Sequence, residues 1–405
     1  MWTTKPTTWS HSYTMPWALV ISCCIGMFAA TASGLTRAPF LLEMATDFRV
    51  DLPAIANLFG LTAIVWGLSS FLSGKAADRW GRQIFLVVSP AGLAASLVAT
   101  VIIEQYWSLV ICIVFVSTFC GSFNTAAMTE VSLRTDHQQR GRALGWVMSG
   151  QSLNLLIGIP LAAWIGASIG WRGVQIAVAS VAILAGILLA INANYNSKKQ
   201  RDRIKKVSSK QLTSRKALTT PVVRLFSSLI MERIGFGLAT FYYPSFLRTI
   251  YHLELEAIAL PLAGFALGNI TGTLLGGQFS DRLPFRRLTS AGMLLISGGF
   301  AFAWFLWTPG LIATAFLGIG FSLFNALSRP PLIAALADVP TEVRGIIMGL
   351  NSSVASIGWL TASVLGGWLY LTIGFNGFGP LMLFVFAMGA LILLPDYKQR
   401  SNLVV

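Results

Sequence analysis

The sequence has little charge for its length. Only 11% of its 405 residues are Asp, Glu, Lys or Arg, whereas an average soluble domain has about 25%. A soluble protein needs charged side chains to cover its surface, so this shortage argues against one. The chain is instead 55% hydrophobic, and its apolar residues form runs that match the ~20 residues of a membrane-crossing helix. The sequence therefore predicts an integral membrane protein.

Motifs of several catalytic and secreted classes are also missing. The nearest string to a GxxxxGK[ST] phosphate loop is Ser73, Gly74, Lys75 and Ala76, so ATP-driven transport is not predicted. Neither HExxH nor GxSxG occurs. The cysteines all lie inside apolar runs, unlike those of a disulfide scaffold; they are Cys23, Cys24, Cys112 and Cys120. We expect no enzyme activity, no cofactor and no metal. The net charge of +14 is not carried by a soluble basic domain, so no nucleic-acid partner is expected.

The apolar runs predict an all-α membrane protein with twelve helices. The first six are expected at 17–40, 52–73, 83–103, 107–130, 143–166 and 172–194. The second six are expected at 222–248, 256–276, 288–306, 309–336, 346–371 and 376–395. Residues 1–194 and 222–405 would then form two six-helix bundles, joined by a basic linker at 195–221.

Basic residues divide unevenly between the two sides of the predicted bundles. Most of the 29 lysines and arginines lie on the side of both termini, whereas Arg49, Arg172 and Arg248 mark the opposite loops. Because basic loops stay cytoplasmic, both termini and the linker are predicted to be cytoplasmic in a bacterial inner membrane. The run from Lys198 to Lys216 is interpreted as an orientation signal, and contact with anionic lipid is the alternative.

A short motif follows the second predicted helix and recurs after the eighth. The first copy has the pattern GxxxDRxGR and consists of Gly74, Asp78, Arg79, Gly81 and Arg82. The second copy reads GxxxDR and then departs, because Pro284 and Phe285 stand in place of the glycine and arginine. Its matching residues are Gly277, Asp281 and Arg282.

Two further groups of residues recur at nearly the same separation. They are Arg140 with Gly141, matched by Arg344 with Gly345, and Phe123 with Asn124, matched by Phe324 with Asn325. Parallel six-helix repeats are typical of one class of secondary transporters. Motif, helix count and repeat together resemble the major facilitator superfamily over essentially the whole chain. The resemblance implies two pseudo-symmetric bundles that carry a small molecule by alternating access.

The same resemblance implies that the first motif copy latches the two bundles together at the cytoplasmic side. Gly74 would let two helices approach closely, and Asp78 would accept hydrogen bonds at a helix amino terminus. Arg82 would pair with Glu130. The alternative is that these charges only anchor a loop at the lipid headgroups.

The fifth predicted helix carries Gly150, Gly158 and Pro160. This pattern is similar to the glycine-and-proline motif of the twelve-helix drug:proton antiporter group, where it is associated with export. Ala162 and Ala163 occupy places where glycines are usual. Ordinary packing of small residues between membrane helices is the alternative explanation.

Four charged residues in the predicted spans are candidates for chemistry, because a charge near mid-membrane costs ~2.5 to 3.5 kcal/mol on insertion scales. They are Arg37, Glu232, Arg233 and Arg329. The resemblance implies that helices one, four, seven and ten line a central cavity, so Glu232 and Arg329 are expected to meet there. Adjacent helical residues point about 100° apart, so Glu232 and Arg233 are not expected to pair. Arg37 is expected to extend to the outer headgroups.

Two functions remain open from the sequence. The leading hypothesis is a monomeric, proton-coupled exporter of small amphipathic molecules, in which Glu232 takes up and releases the proton. The alternative is uptake or exchange of a small organic anion held by the intramembrane arginines, because guanidinium forks suit carboxylates. Four amides are candidates either for substrate contacts or for pairing between helices. They are Asn124, Gln151, Asn154 and Asn325.

Overall fold

The computed structural model describes residues 15–135, 139–192, 219–282, 285–307, 310–337 and 341–394, and these residues are almost entirely helical. The first set of helices is α1 (Trp17–Leu35), α2 (Leu41–Phe48), α3 (Leu52–Trp80), α4 (Arg82–Val101), α5 (Tyr106–Arg134), α6 (Arg140–Leu153) and α7 (Ile159–Asn192). The second set is α8 (Thr220–Tyr251), α9 (Ala259–Arg282), α10 (Arg286–Trp307), α11 (Leu311–Ala337), α12 (Thr341–Thr372) and α13 (Phe378–Leu393). Short 3₁₀ turns lie at Ala38–Phe40 and Gly374–Gly377.

The predicted fold class is confirmed. Within the described residues, ten helices are long and apolar enough to cross a membrane. One of them, Arg142–Asn192, has 51 residues, enough for two crossings. It is interrupted at Gly170, whose φ of 69° leaves the helical region, between the predicted fifth and sixth helices. Helix α8, which carries Glu232 and Arg233, is not among the ten, so the count of twelve stays a prediction.

Two groups of boundaries differ from the sequence prediction. Helix α1 ends at Leu35, and the predicted loop after it contains the short helix α2. Helix α3 continues to Trp80, so most of the first motif copy is helical, and the chain turns at Gly81. The φ of Gly81 is 100°, which only glycine adopts readily. In the second copy, Gly277 to Arg282 likewise belong to α9 rather than to a loop.

Most close helix contacts lie within one set. In the first set α3 packs on α5, α4 packs on α5 and α7, and α1 packs on α6 and α7. In the second set α9 and α10 pack on α11, whereas α8 packs on α12 and α13. The two sets meet where α3 packs on α12 and α7 packs on α9. Most of the predicted linker, residues 195–218, lies outside the described residues.

The closest of these helix pairs is joined through glycines. Helices α9 and α11 meet along Gly264, Gly268, Gly272 and Gly276, which are spaced one helical turn apart. A Cβ atom at Gly268, Gly272 or Gly276 would lie 2.6, 2.2 or 2.8 Å from the backbone oxygens of Ile319, Leu323 or Leu327. Backbone atoms give way little, so these positions require glycine.

Gly74 does not have such a role. A Cβ atom there would lie 3.6 Å from Thr125 Cγ2, an ordinary van der Waals contact, so the prediction of a close approach at Gly74 is wrong. Helices α3 and α5 approach closely at Gly121 instead, where a Cβ atom would lie 2.4 Å from the Trp66 carbonyl oxygen.

Candidate functional site

The candidate site is centred on Glu232, which lies within α8 and has no solvent exposure. Arg329 of α11 donates two hydrogen bonds to Glu232 Oε1, from Nη2 at 2.8 Å and from Nε at 3.2 Å. The predicted meeting of these two residues is confirmed. Asn325 and Phe236 lie one helical turn away from Arg329 and Glu232, respectively. Asn325 Oδ1 accepts from Arg329 Nη2 at 3.3 Å, and the Arg329 guanidinium lies 4.9 Å from the centre of the Phe236 ring.

Arg233 also contacts Glu232. Its Nε lies 3.4 Å from Glu232 Oε2, so the expectation that these neighbours stay apart was wrong. The contact is not a hydrogen bond, because both atoms are buried without a hydrogen-bond partner. Helix α12 passes close to Arg233, since a Cβ atom at Gly358 would lie 2.3 Å from Arg233 Cβ. The carboxylate therefore lies between the guanidinium of Arg329, which donates hydrogen bonds to it, and that of Arg233, which does not.

Arg37 lies inside the protein rather than at the headgroups. It is 3% exposed, so the prediction that it extends to the outer surface is wrong. Its Nε donates to the Gly34 carbonyl at 3.1 Å and its Nη2 donates to Thr62 Oγ1 at 3.2 Å. The guanidinium lies 5.6 Å from the centre of the Phe59 ring. The physical reason is that α1 ends at Leu35, and the Arg37 side chain lies against Thr62 and Phe59 of α3.

The charges of the Glu232 site do not balance. Among its described residues, the guanidiniums of Arg233 and Arg329 stand against the single carboxylate of Glu232. Positive charge inside a membrane is costly unless a counter-charge is present. A site with this excess suits an anion.

Glu130, predicted to pair with Arg82, has another partner. Its Oε1 lies 2.6 Å from Nε of Arg134, one turn further along α5. The side chains of Asp78, Arg79, Asp281 and Arg282 lie outside the described part of the structure. The latch function of the two motif copies therefore stays a prediction.

The fifth predicted helix contains a feature that the sequence analysis missed. Residues Asn154–Gly158 form a π-helical turn, a type of turn that is frequent at functional sites. Asn154 is fully buried, and its amide has no hydrogen-bond partner among the described residues. A signal for the turn was present in Pro160, because proline lacks the N–H that an α-helix would use there. Gly150 packs tightly, since its Cβ atom would lie 2.2 Å from the Cys24 carbonyl oxygen of α1.

The other predicted amides divide between two places. Asn325 belongs to the Glu232 site, and its Nδ2 is buried without a described partner. Asn124 and Gln151 are half-buried on α5 and α6. Neither takes part in the hydrogen bonds described for Glu232 and Arg329.

Two bundles of apolar helices around a buried charge network define a membrane transporter. The chain belongs to the major facilitator superfamily, whose family model matches residues 22–329 and 225–404. This family consists of transporters and not of enzymes, as the sequence predicted. The recognition of the family from its motif and repeat is also confirmed.

Relatives agree over nearly the whole length. YwfA of Bacillus subtilis, an uncharacterized MFS-type transporter, is 23% identical over 396 residues, which cover 96% of this chain and 94% of the relative. A chloramphenicol resistance protein of Streptomyces lividans is 26% identical over 356 residues, covering 86% and 88%. The crystal structure of a D-xylose-proton symporter has a TM-score of 0.75 at 16% identity over 95% of this chain and 99% of that one, which shows the fold alone.

Proposed function

We propose that this protein is a secondary active transporter that carries a small organic anion together with a proton. The observation that supports this proposal is the Glu232 carboxylate between Arg329 and Arg233. While Glu232 is ionised, it occupies these guanidiniums. When it binds a proton, it loses the charge that holds them. Two planar forks that match a carboxylate are then available.

This arrangement links the two ligands. A proton on Glu232 favours the anion, and by reciprocity the anion favours the proton. The two therefore bind and leave together, as symport requires. A cationic solute would behave in the opposite way, because it would compete with the proton for Glu232.

Export of small organic molecules is the second candidate. It is favoured by the glycine-and-proline pattern of the fifth helix and by the chloramphenicol resistance protein among the relatives. In either case we propose that the protein lies in a bacterial inner membrane with both termini cytoplasmic, and that it acts as a monomer. We also propose that the GxxxDR copies latch its cytoplasmic side.

A ligand screen by thermal unfolding tests the proposal. We expect benzoate and benzenesulfonate to raise the unfolding temperature of the purified protein by mass action. The apparent affinity for both anions should rise as the pH falls, by up to about tenfold per pH unit if one proton binds with each anion. Benzenesulfonate stays ionised as the pH falls, so any pH dependence of its binding arises from the protein.

The Glu232→Gln protein is the control, and it should bind benzenesulfonate equally well at about pH 5.5 and pH 7.5, because glutamine is neutral at both. Stabilisation by organic amines at the higher pH, without any response to the two anions, would contradict anion symport and support the exporter.

A further inference from the structure

The two helix sets are closed against each other at one end of the molecule. We call this end the α2 side; it contains α2, the start of α3 and the end of α8, and it lies opposite the motif copies. Near the start of α3, the Ala56 carbonyl accepts a hydrogen bond from Ser363 Oγ of α12 at 2.8 Å. One turn further, the rings of Phe59 and Phe241 stack with their centres 4.2 Å apart. Both contacts join the first set to the second.

An ion pair crosses the same boundary at the outer edge of the α2 side. Glu43 lies in the first turn of α2, and Arg248 lies in the last turn of α8. Arg248 Nη1 donates to Glu43 Oε1 at 2.5 Å and to the Pro39 carbonyl at 3.4 Å. The side chain of Glu43 is 34% exposed and that of Arg248 is 18% exposed. The Glu43 side chain is therefore partly accessible, whereas the Glu232 side chain is 0% exposed.

Helix α2 has a second anchor that stays within the first set. Asp47, one turn after Glu43, pairs with Arg172 of α7, and its Oδ2 also accepts from Trp171 Nε1 at 2.9 Å. The helix is thus fixed to its own set through Asp47 and to the opposite set through Glu43. If the sets separate on the α2 side, the Asp47 contacts persist and the Glu43 contact breaks.

We propose that the Glu43–Arg248 pair is the gate that holds the α2 side closed and that breaks in each transport cycle. A partly exposed ion pair makes a modest contribution to stability. A contact that must form and break repeatedly needs this property, because a strong one would trap the closed state. The proposal does not depend on the identity of the solute or of the coupling ion.

Distances between spin labels test this gate without any solute. In a cysteine-free protein, labels at Gln105 and Glu256 report on the α2 side, since both residues are exposed and belong to opposite sets. Labels at Arg142 and Arg287, also exposed, report on the opposite side. In the Glu43→Gln protein we expect the long-distance population at the α2 side to increase about two- to fivefold, as the loss of one partly exposed pair allows. The distance on the opposite side should shorten accordingly.

Two further variants show whether the effect is specific to the Glu43–Arg248 pair. The charge-exchanged protein, Glu43→Arg with Arg248→Glu, should return the parental distances because the pair re-forms with its charges reversed. The Asp47→Asn protein should also keep the parental distances, because it loses a contact within one set. Parental distances in Glu43→Gln, an equal shift in Asp47→Asn, or an open α2 side in the charge-exchanged protein would each overturn the gate. If Glu43→Gln does not fold, Arg248→Gln, which breaks the same pair from the other side, takes its place.

Discussion

The Glu232→Gln protein is expected to lose proton-driven accumulation of its solute by more than about tenfold while it still exchanges solute for solute. Glutamine has nearly the same shape and keeps an acceptor for Arg329, so the site should assemble. It cannot take up or release a proton, so it resembles the protonated state throughout the cycle. Solute can then enter and leave only when another solute replaces it.

Proteoliposomes loaded with a pH-sensitive dye measure both processes. With an anion identified by the thermal screen, the variant should show no accumulation under an imposed pH gradient and no pH change on adding solute. Counterflow should stay within a few-fold of the parental rate. The control is Glu130→Gln, which removes a buried carboxylate that pairs with its own arginine on α5. It should keep the parental number of protons per solute. Proton-driven accumulation by Glu232→Gln would leave Glu232 as a structural partner of Arg329.

Replacing Gly272 by alanine is expected to lower the free energy of unfolding by about 1 to 3 kcal/mol, the usual cost of excess volume in a packed core. The added methyl would lie 2.2 Å from the Leu323 carbonyl oxygen. Neither atom can rotate away, so α9 and α11 must separate along their glycine contact. Thermal unfolding in detergent measures the effect.

Gly277→Ala, in the same helix, is the matched control. A Cβ atom at Gly277 meets nothing within 4 Å, so alanine should leave stability unchanged or raise it by about 0.4 to 1 kcal/mol through the unfolded chain. The two substitutions add the same methyl group, and only Gly272→Ala should lower the stability. Equal stability of both proteins would show that the α9–α11 contact adapts to a side chain.

The helices were predictable because long apolar runs have few alternatives. Helix α2 was not, because it has only eight residues and carries Glu43 and Asp47, which the sequence analysis placed in a loop. The motif copies were expected in loops for a similar reason. Their charged residues end the apolar runs, although α3 and α9 continue through them.

Part of the site could be predicted from the scarcity of charge. A carboxylate inside a membrane helix needs a partner, and the family resemblance implied that the helices of Glu232 and Arg329 line one cavity. The contact of Arg233 could not be predicted, because helix geometry fixes where a side chain begins but not where a long one ends. The repeat did not help either. Arg329 lies four residues after Asn325, but the matching position after Asn124 is Met128. The charged site thus belongs to the second set alone.

The burial of Arg37 has an electrical consequence. Its positive charge lies beside Phe59, one of the two rings of the stacked contact between the two sets. A buried guanidinium raises the energy of a hydronium or sodium ion that comes close to it and lowers that of an anion. If the two sets separate at this contact, Arg37 would therefore disfavour the entry of small cations along the opened path.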